Sequence, residues 1–223
     1  MDPPLKSWIT SATRLVAIEY HTSFPYLGDP FYQANIEEQE ARLLQSGVTF
    51  VPSIRFDALH TPAANNPTAY GALLTERRAV PSGTTVDLAG TLDPAGLDGR
   101  LTVTVTPGEA MPGDWHLWVA IIENAIDYEA PNGIDVHDQV FRDFLPDAEG
   151  TAIDLATAGA PVTVELDYTL DASWNELEVR FVAFVQEATT RIVDQAGELR
   201  IGELTPVAPA TWGAIKHLYR RDR

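Results

Sequence analysis

Histidines come first among the side chains that could do chemistry, because imidazole binds metals and moves protons near neutral pH. His21, His60, His116, His137 and His217 show no His-x-x-x-His or His-Glu-x-x-His spacing, so they encode no helical metal pair. His137 lies in Val136-His137-Asp138-Gln139-Val140-Phe141-Arg142. On a strand, His137, Gln139 and Phe141 would share one face, and Asp138, Val140 and Arg142 the other. This pattern favours a hydrogen-bonded structural histidine over a metal ligand, with Arg142 as a buried or half-buried ion-pair partner. Glu123 and Asp127 could pose as an acid/base pair, but nothing beside them supports a glycosidase. Asp93 and Asp98 could bracket a calcium ion, yet their loop lacks the dense oxygen ligands of a calcium site and reads better as a turn between strands. Trp115, Trp118, Tyr128 and Trp174 could line a glycan platform. Trp115 and Trp118 differ in strand parity, however, so core packing is the better reading. There is no Gly-x-Ser-x-Gly elbow and no phosphate loop. The chain has no cysteine, which excludes thiol–disulfide chemistry by this chain alone. Neither a metal nor a cofactor is expected.

The composition narrows the class of partner. The chain has 223 residues, 45% hydrophobic, with 15 Gly and 16 Pro, as in a globular protein with many turns. The net charge of −17 leaves no basic face to displace counterions, so nucleic acid is excluded as a partner. The same charge disfavours an anionic membrane surface. Four of the 15 cationic side chains fall between Lys216 and Arg223, a small basic tail on an acidic body. Met1-Asp2-Pro3-Pro4 is not the start of a signal peptide. The apolar run Leu117–Ile122 is too short to span a bilayer.

Two kinds of text must position any site. Residues 1–13 read as an irregular arm. Leu15 to Tyr20 reads as a buried strand, Ile36 to Gln45 as a helix with Asn35 as N-cap and Gly47 at its end, and Thr49 to Phe56 as a second strand. Thr61 to Pro67 is the linker candidate, followed by a short helix over Thr68 to Arg77. From Val80 onward the pattern becomes period-two alternation. Leu101, Val103 and Val105 alternate with threonines, and Val162, Val164, Leu166, Tyr168 and Leu170 with polar residues. Trp115 to Glu123 and Glu178 to Gln186 are apolar on both faces, as central strands are. Roughly eight strands spaced by turns indicate a β-sandwich.

Residues 14–60 resemble the second half of a thioredoxin-like domain, with Ile18-Glu19-Tyr20-His21, Asp29-Pro30-Phe31, Arg42, Val51-Pro52 and Asp57 in order. Residues 80–200 carry Gly133-Ile134-Asp135-Val136-His137-Asp138-Gln139-Val140-Phe141-Arg142-Asp143-Phe144-Leu145-Pro146, then Gly150, Trp174-Asn175, Val182-Ala183-Phe184-Val185-Gln186, Thr190 and Gln195-Ala196. Together these resemble the Omp28-related bacterial outer-membrane proteins, which join a thioredoxin-like domain to an immunoglobulin-like sandwich. The family's first strand and helix, where a Cys-x-x-Cys often sits, are missing here, and Asp57-Ala58 replaces its usual Asp-Gly. The resemblance implies an α+β protein: a truncated thioredoxin-like strand–helix–strand unit over 1–62, a linker and short helix over 63–79, an immunoglobulin-like β-sandwich over 80–204 and a tail over 205–223. It implies a cis peptide before Pro52 and a binding edge at Val51 and Pro52, where an extended peptide would pair. The expected function is that of a non-catalytic extracytoplasmic binding or cell-envelope protein, with an unknown protein or peptide partner, a possible homodimer, and a leader not present in this chain. The alternative is the C-terminal fragment of a thiol oxidoreductase whose cysteine-bearing half lies upstream.

Two strands and one helix cannot enclose a core. The N-terminal unit should therefore pack on its own sandwich or on a second copy of itself.

Overall fold

The computed structural model describes residues 15–62, 66–93 and 97–206. The expected N-terminal arm, the middle of the linker, the tip of the Asp93–Asp98 turn and nearly all of the tail lie outside these residues. Among the described residues three α-helices lead: α1 (Pro30–Ala34), α2 (Ile36–Ser46) and α3 (Pro67–Arg78). The strands are β1 (Thr84–Asp93), β2 (Asp98–Pro107), β3 (Trp115–Glu123), β4 (Ile126–Asp127), β5 (Val136–His137), β6 (Val140–Leu145), β7 (Thr151–Ile153), β8 (Val162–Thr169), β9 (Val179–Glu187), β10 (Val193–Arg200) and β11 (Thr205–Pro206).

They build a β-sandwich. One sheet has the order β11-β1-β2-β8, and the other β10-β9-β3-β6, with β7 also pairing β3. The alternation read from the sequence is realised: Leu101, Val103 and Val105 of β2 point into the core while their threonine neighbours do not. Leu117, Val119 and Ile121 of β3 and Phe181, Ala183 and Val185 of β9 fill the same core from the facing sheet. Each Val, Leu, Ile or Phe among them contributes roughly 1.5–3 kcal/mol on burial. The four-stranded sheet takes in Thr205–Pro206, the first two residues of the expected tail, parallel to β1.

The other faces of β3 and β9 are buried too. Trp118, Ala120 and Ile122 with Val182 and Phe184 form a second cluster with Phe141 and Phe144 of β6, and Val16, Ile18 and Tyr20 pack on it. The N-terminal segment thus lies on its own sandwich, one of the two arrangements that its short length requires.

Two expected strands are not formed as such. Leu15–Tyr20 makes a single parallel bridge, Glu19 to Val140, in which Glu19 N donates to Gln139 O at 2.7 Å and Phe141 N to Glu19 O at 3.0 Å. It therefore docks on the edge of β6, and not beside a neighbouring N-terminal strand. Thr49–Phe56 is not a strand either. Pro52 has no N–H to give a ladder. Asp57 and Ala58 at φ 48° and 64° turn the chain back, so that Phe56 bridges His60. The helix between them is as expected: the Asn35 side chain accepts from Glu38 N, and Gly47 closes α2 at φ 63°.

Parity also breaks in β6. Gln139 has φ 62°, and the β3–β6 register shifts between Ile121 and Ile122. The extra residue puts Phe141 and Phe144 in one cluster, so the strict alternation expected across His137–Arg142 does not hold.

Candidate functional site

Val51 and Pro52 sit on an exposed bend, joined by a cis peptide. Phe50, Val51 and Leu59 expose apolar side chains along this stretch, and Leu44 does so on the preceding helix. The segment is held at both ends. Arg55 Nη2 donates to Gly47 O at 3.5 Å, and Asp57 accepts from Arg77 Nε at 2.6 Å. Behind it, Phe56 packs with Tyr70 and Leu74 of α3. The bend is thus a surface feature on a fixed base.

Beyond Ala58 the same segment reaches a cleft of about 290 Å3 between α2 and the ends of β3 and β9, lined among others by Arg42, Gln45, His116, Trp118, Gln186 and Arg191. Arg42 belongs to the buried face of α2 and is 7% exposed. Its guanidinium lies 5.0 Å from the Phe184 ring centre and 5.8 Å from that of Trp118. Its Nη1 donates to Gln186 Oε1 at 2.9 Å and Gln45 Oε1 at 3.2 Å. Among the described residues no carboxylate lies within ion-pairing distance of it. Trp118 is stacked between His116 and Phe184 and donates from its indole N–H to Ala148 O. Burial pushes the nearby Tyr20 hydroxyl up to about 12, against the lowering effect of Arg42.

A second cleft, of about 400 Å3, opens at the start of α2 beside Asn35, Arg142, Asp143, Asp171 and Trp174. Asn35 Nδ2 donates to Glu38 Oε2 at 2.7 Å and to Arg142 O at 3.1 Å. Burial pushes the Glu38 carboxyl up to about 7 and raises Asp143 as well. The two carboxyls share the Asn35 amide as a donor. Arg142 is the expected half-buried ion-pair partner: its Nη2 is 2.7 Å from Glu123 Oε2, and Glu123 Oε1 also accepts from Asn175 N. That engagement occupies Glu123, one member of the carboxylate pair considered for acid/base work.

His137 is buried, with Nε2 3.1 Å from Tyr128 O and 3.2 Å from Ile134 O, which is structural bonding. His21 Nδ1 lies 2.7 Å from Asp29 Oδ2, the residue that also caps α1. Asp98 ends as an acceptor for the Thr169 hydroxyl. Trp115 packs towards the sandwich core and Trp118 towards the N-terminal layer, on opposite faces as parity requires. Sequence reasoning missed the Arg42 cleft. The signal was present in α2, where Glu38, Gln39 and Arg42 place polar groups on the face that must be buried.

Among the described residues no helix is long and apolar enough to cross a membrane. No curated protein matches the chain. Among solved structures, a domain of the outer membrane lipoprotein Omp28 from Porphyromonas gingivalis aligns at 13% identity with a TM-score of 0.41, covering 57% of this chain and 92% of that one. A β-glucosidase from Listeria innocua, solved with glucose, aligns at 16% identity and a TM-score of 0.28 over 56% of this chain and 16% of that one. Residues 45–203 match the family model described as outer membrane protein Omp28; spanning well over half of the 223 residues, that match means the chain belongs to the Omp28 family.

Proposed function

We propose that the protein is a non-catalytic binding module of the cell envelope, outside the cytoplasm, which takes an extended segment of a protein partner along the bend at Val51 and Pro52. Membership of an outer-membrane protein family supports the location. The observation that carries the binding reading is the exposure of Phe50, Val51 and Leu59 on a stretch whose base is fixed by Arg55, Asp57 and Phe56. Apolar side chains held rigidly at a surface lose little entropy on binding. The kinship of residues 1–62 to a truncated thioredoxin-like unit is part of the same proposal. It rests on the order of the motifs and on α2, since the flanking segments do not pair with each other.

The test is a panel of extended peptides, acetylated and amidated so that they carry no terminal charge, presented to the immobilised protein. Binders are expected that lose at least about tenfold in affinity with Val51→Glu. A panel without binders, or binders indifferent to Val51→Glu, would remove the edge as the site.

A further inference from the structure

We propose that the cleft beneath α2 binds a ligand through a carboxylate group, with Arg42 as the residue that holds it. A cation on a buried helix face is ordinarily matched by an acid, because desolvating it alone is costly. Arg42 is matched by two neutral amide oxygens, two aromatic rings and the nearby Tyr20 hydroxyl, none of them an anion. The acid spaced to serve it, Glu38 one turn earlier, is turned away towards Asn35 and the Phe144 amide. Burial keeps that carboxyl largely protonated below neutral pH.

The guanidinium is also held in place. Gln186 accepts from Nη1 and uses its own Nε2 to donate to Arg191 O at 2.6 Å, so both ends of that amide are committed. Both amide hydrogen bonds of Arg42 run from Nη1, so neither amide occupies the Nε and Nη2 edge. Two parallel N–H groups on that edge fit the two oxygens of one carboxylate. Arg191 stands on the same cleft and adds positive charge, whereas Glu149 and Glu187 also border it. Those two acids favour a single negative charge over a phosphate dianion. A peptide C-terminus and an acidic sugar both carry this group.

The experiment follows the Arg42 Nε–H and Trp118 indole N–H resonances of the full chain during titration with glucuronate, with a short acetylated peptide acid, and with the same peptide amidated. Saturable shifts are expected with one or both carboxylates and none with the amide, and the tighter carboxylate identifies the source. Arg42→Gln should weaken binding at least about tenfold. If that variant does not fold, Arg42→Lys keeps the cation over the rings but loses the fork, and should weaken binding several-fold. The proposal falls if neither carboxylate shifts these signals at up to about 20 mM, if the amide binds as well as the acid, or if a folded Arg42 variant binds unchanged. Because the peptides that test the Val51 edge carry no terminal carboxylate, and those chosen can omit Asp and Glu, the two proposals fail separately.

Discussion

Glu38 Oε2 accepts a hydrogen bond from the Phe144 amide at 2.9 Å, joining α2 to β6 across 106 positions of sequence. The same oxygen accepts from Asn35, whose amide also touches Arg142 O and Asp143. A carboxyl held above its ordinary range at this junction makes the attachment of the N-terminal layer depend on pH.

The direction follows from proton counting. Glu38 is raised by burial to about 7 in the folded protein, against an ordinary 4.5, and Asp143 is raised too. Between these limits the folded chain holds a proton that the unfolded chain releases. The stability this supplies is complete below about pH 4.5 and is lost as pH rises through about 7. Melting temperature should therefore decline from pH 5 to pH 7.5 (roughly the window of this titration), and Glu38→Gln should flatten the decline. A slope unchanged in the variant would place the titration elsewhere.

Gln39 is fully buried and hydrogen-bonded at both ends of its amide. Its Oε1 accepts from His21 N at 2.6 Å, and its Nε2 donates to Phe31 O at 2.8 Å. Gln39→Leu keeps the volume and strands those backbone groups. A loss of about 2 kcal/mol in chemical denaturation is expected. A neutral result would mean that water reaches this point.

Glu123 and Arg142 form a pair in which both side chains are largely buried. Removing only the acid leaves Arg142 with its rings, Phe31 and Trp174, and without its ion-pair partner. Glu123→Ala should cost about 3 kcal/mol. Combining it with Arg142→Met should recover part of that loss, as a double-mutant cycle would measure.

Gly150 has φ 71°, and a Cβ there would stand 2.9 Å from Leu117 O and from the Trp118 ring. Both are parts of β3, buried in the sandwich. Gly150→Ala should destabilise by more than about 1 kcal/mol and perturb the Trp118 fluorescence. At Gly133, also at positive φ but with open space around its Cβ position, the same change should perturb no ring.

The sandwich was legible because period-two burial leaves a direct mark: Leu101, Val103 and Val105 alternate with threonines, and β3 and β9 lack a polar face. The caps of α2 were legible for an equally local reason, Asn35 and Gly47 being residues with specific backbone roles. The fate of Leu15–Tyr20 was not. An apolar run states that it must be buried, not whether its partner is a neighbouring strand or the edge of β6 more than a hundred residues later. The register shift at Ile121 and Ile122 was hidden too, since a bulge inserts one residue without a composition signal. The cleft escaped because the acceptors of Arg42 come from Gln45 and Gln186, and only the fold brings these together.

The bridge from Glu19 to Val140 bears on the order in which this chain can be made. Translation delivers Val16, Ile18 and Tyr20 long before Phe184, which completes the surface that buries them. At about 5–20 residues per second that interval is on the order of ten seconds or more. Throughout it, this apolar stretch has nowhere of its own to settle and is open to anything that handles nascent chains. A clamp that waits for strands made so much later favours keeping the chain open until they are complete.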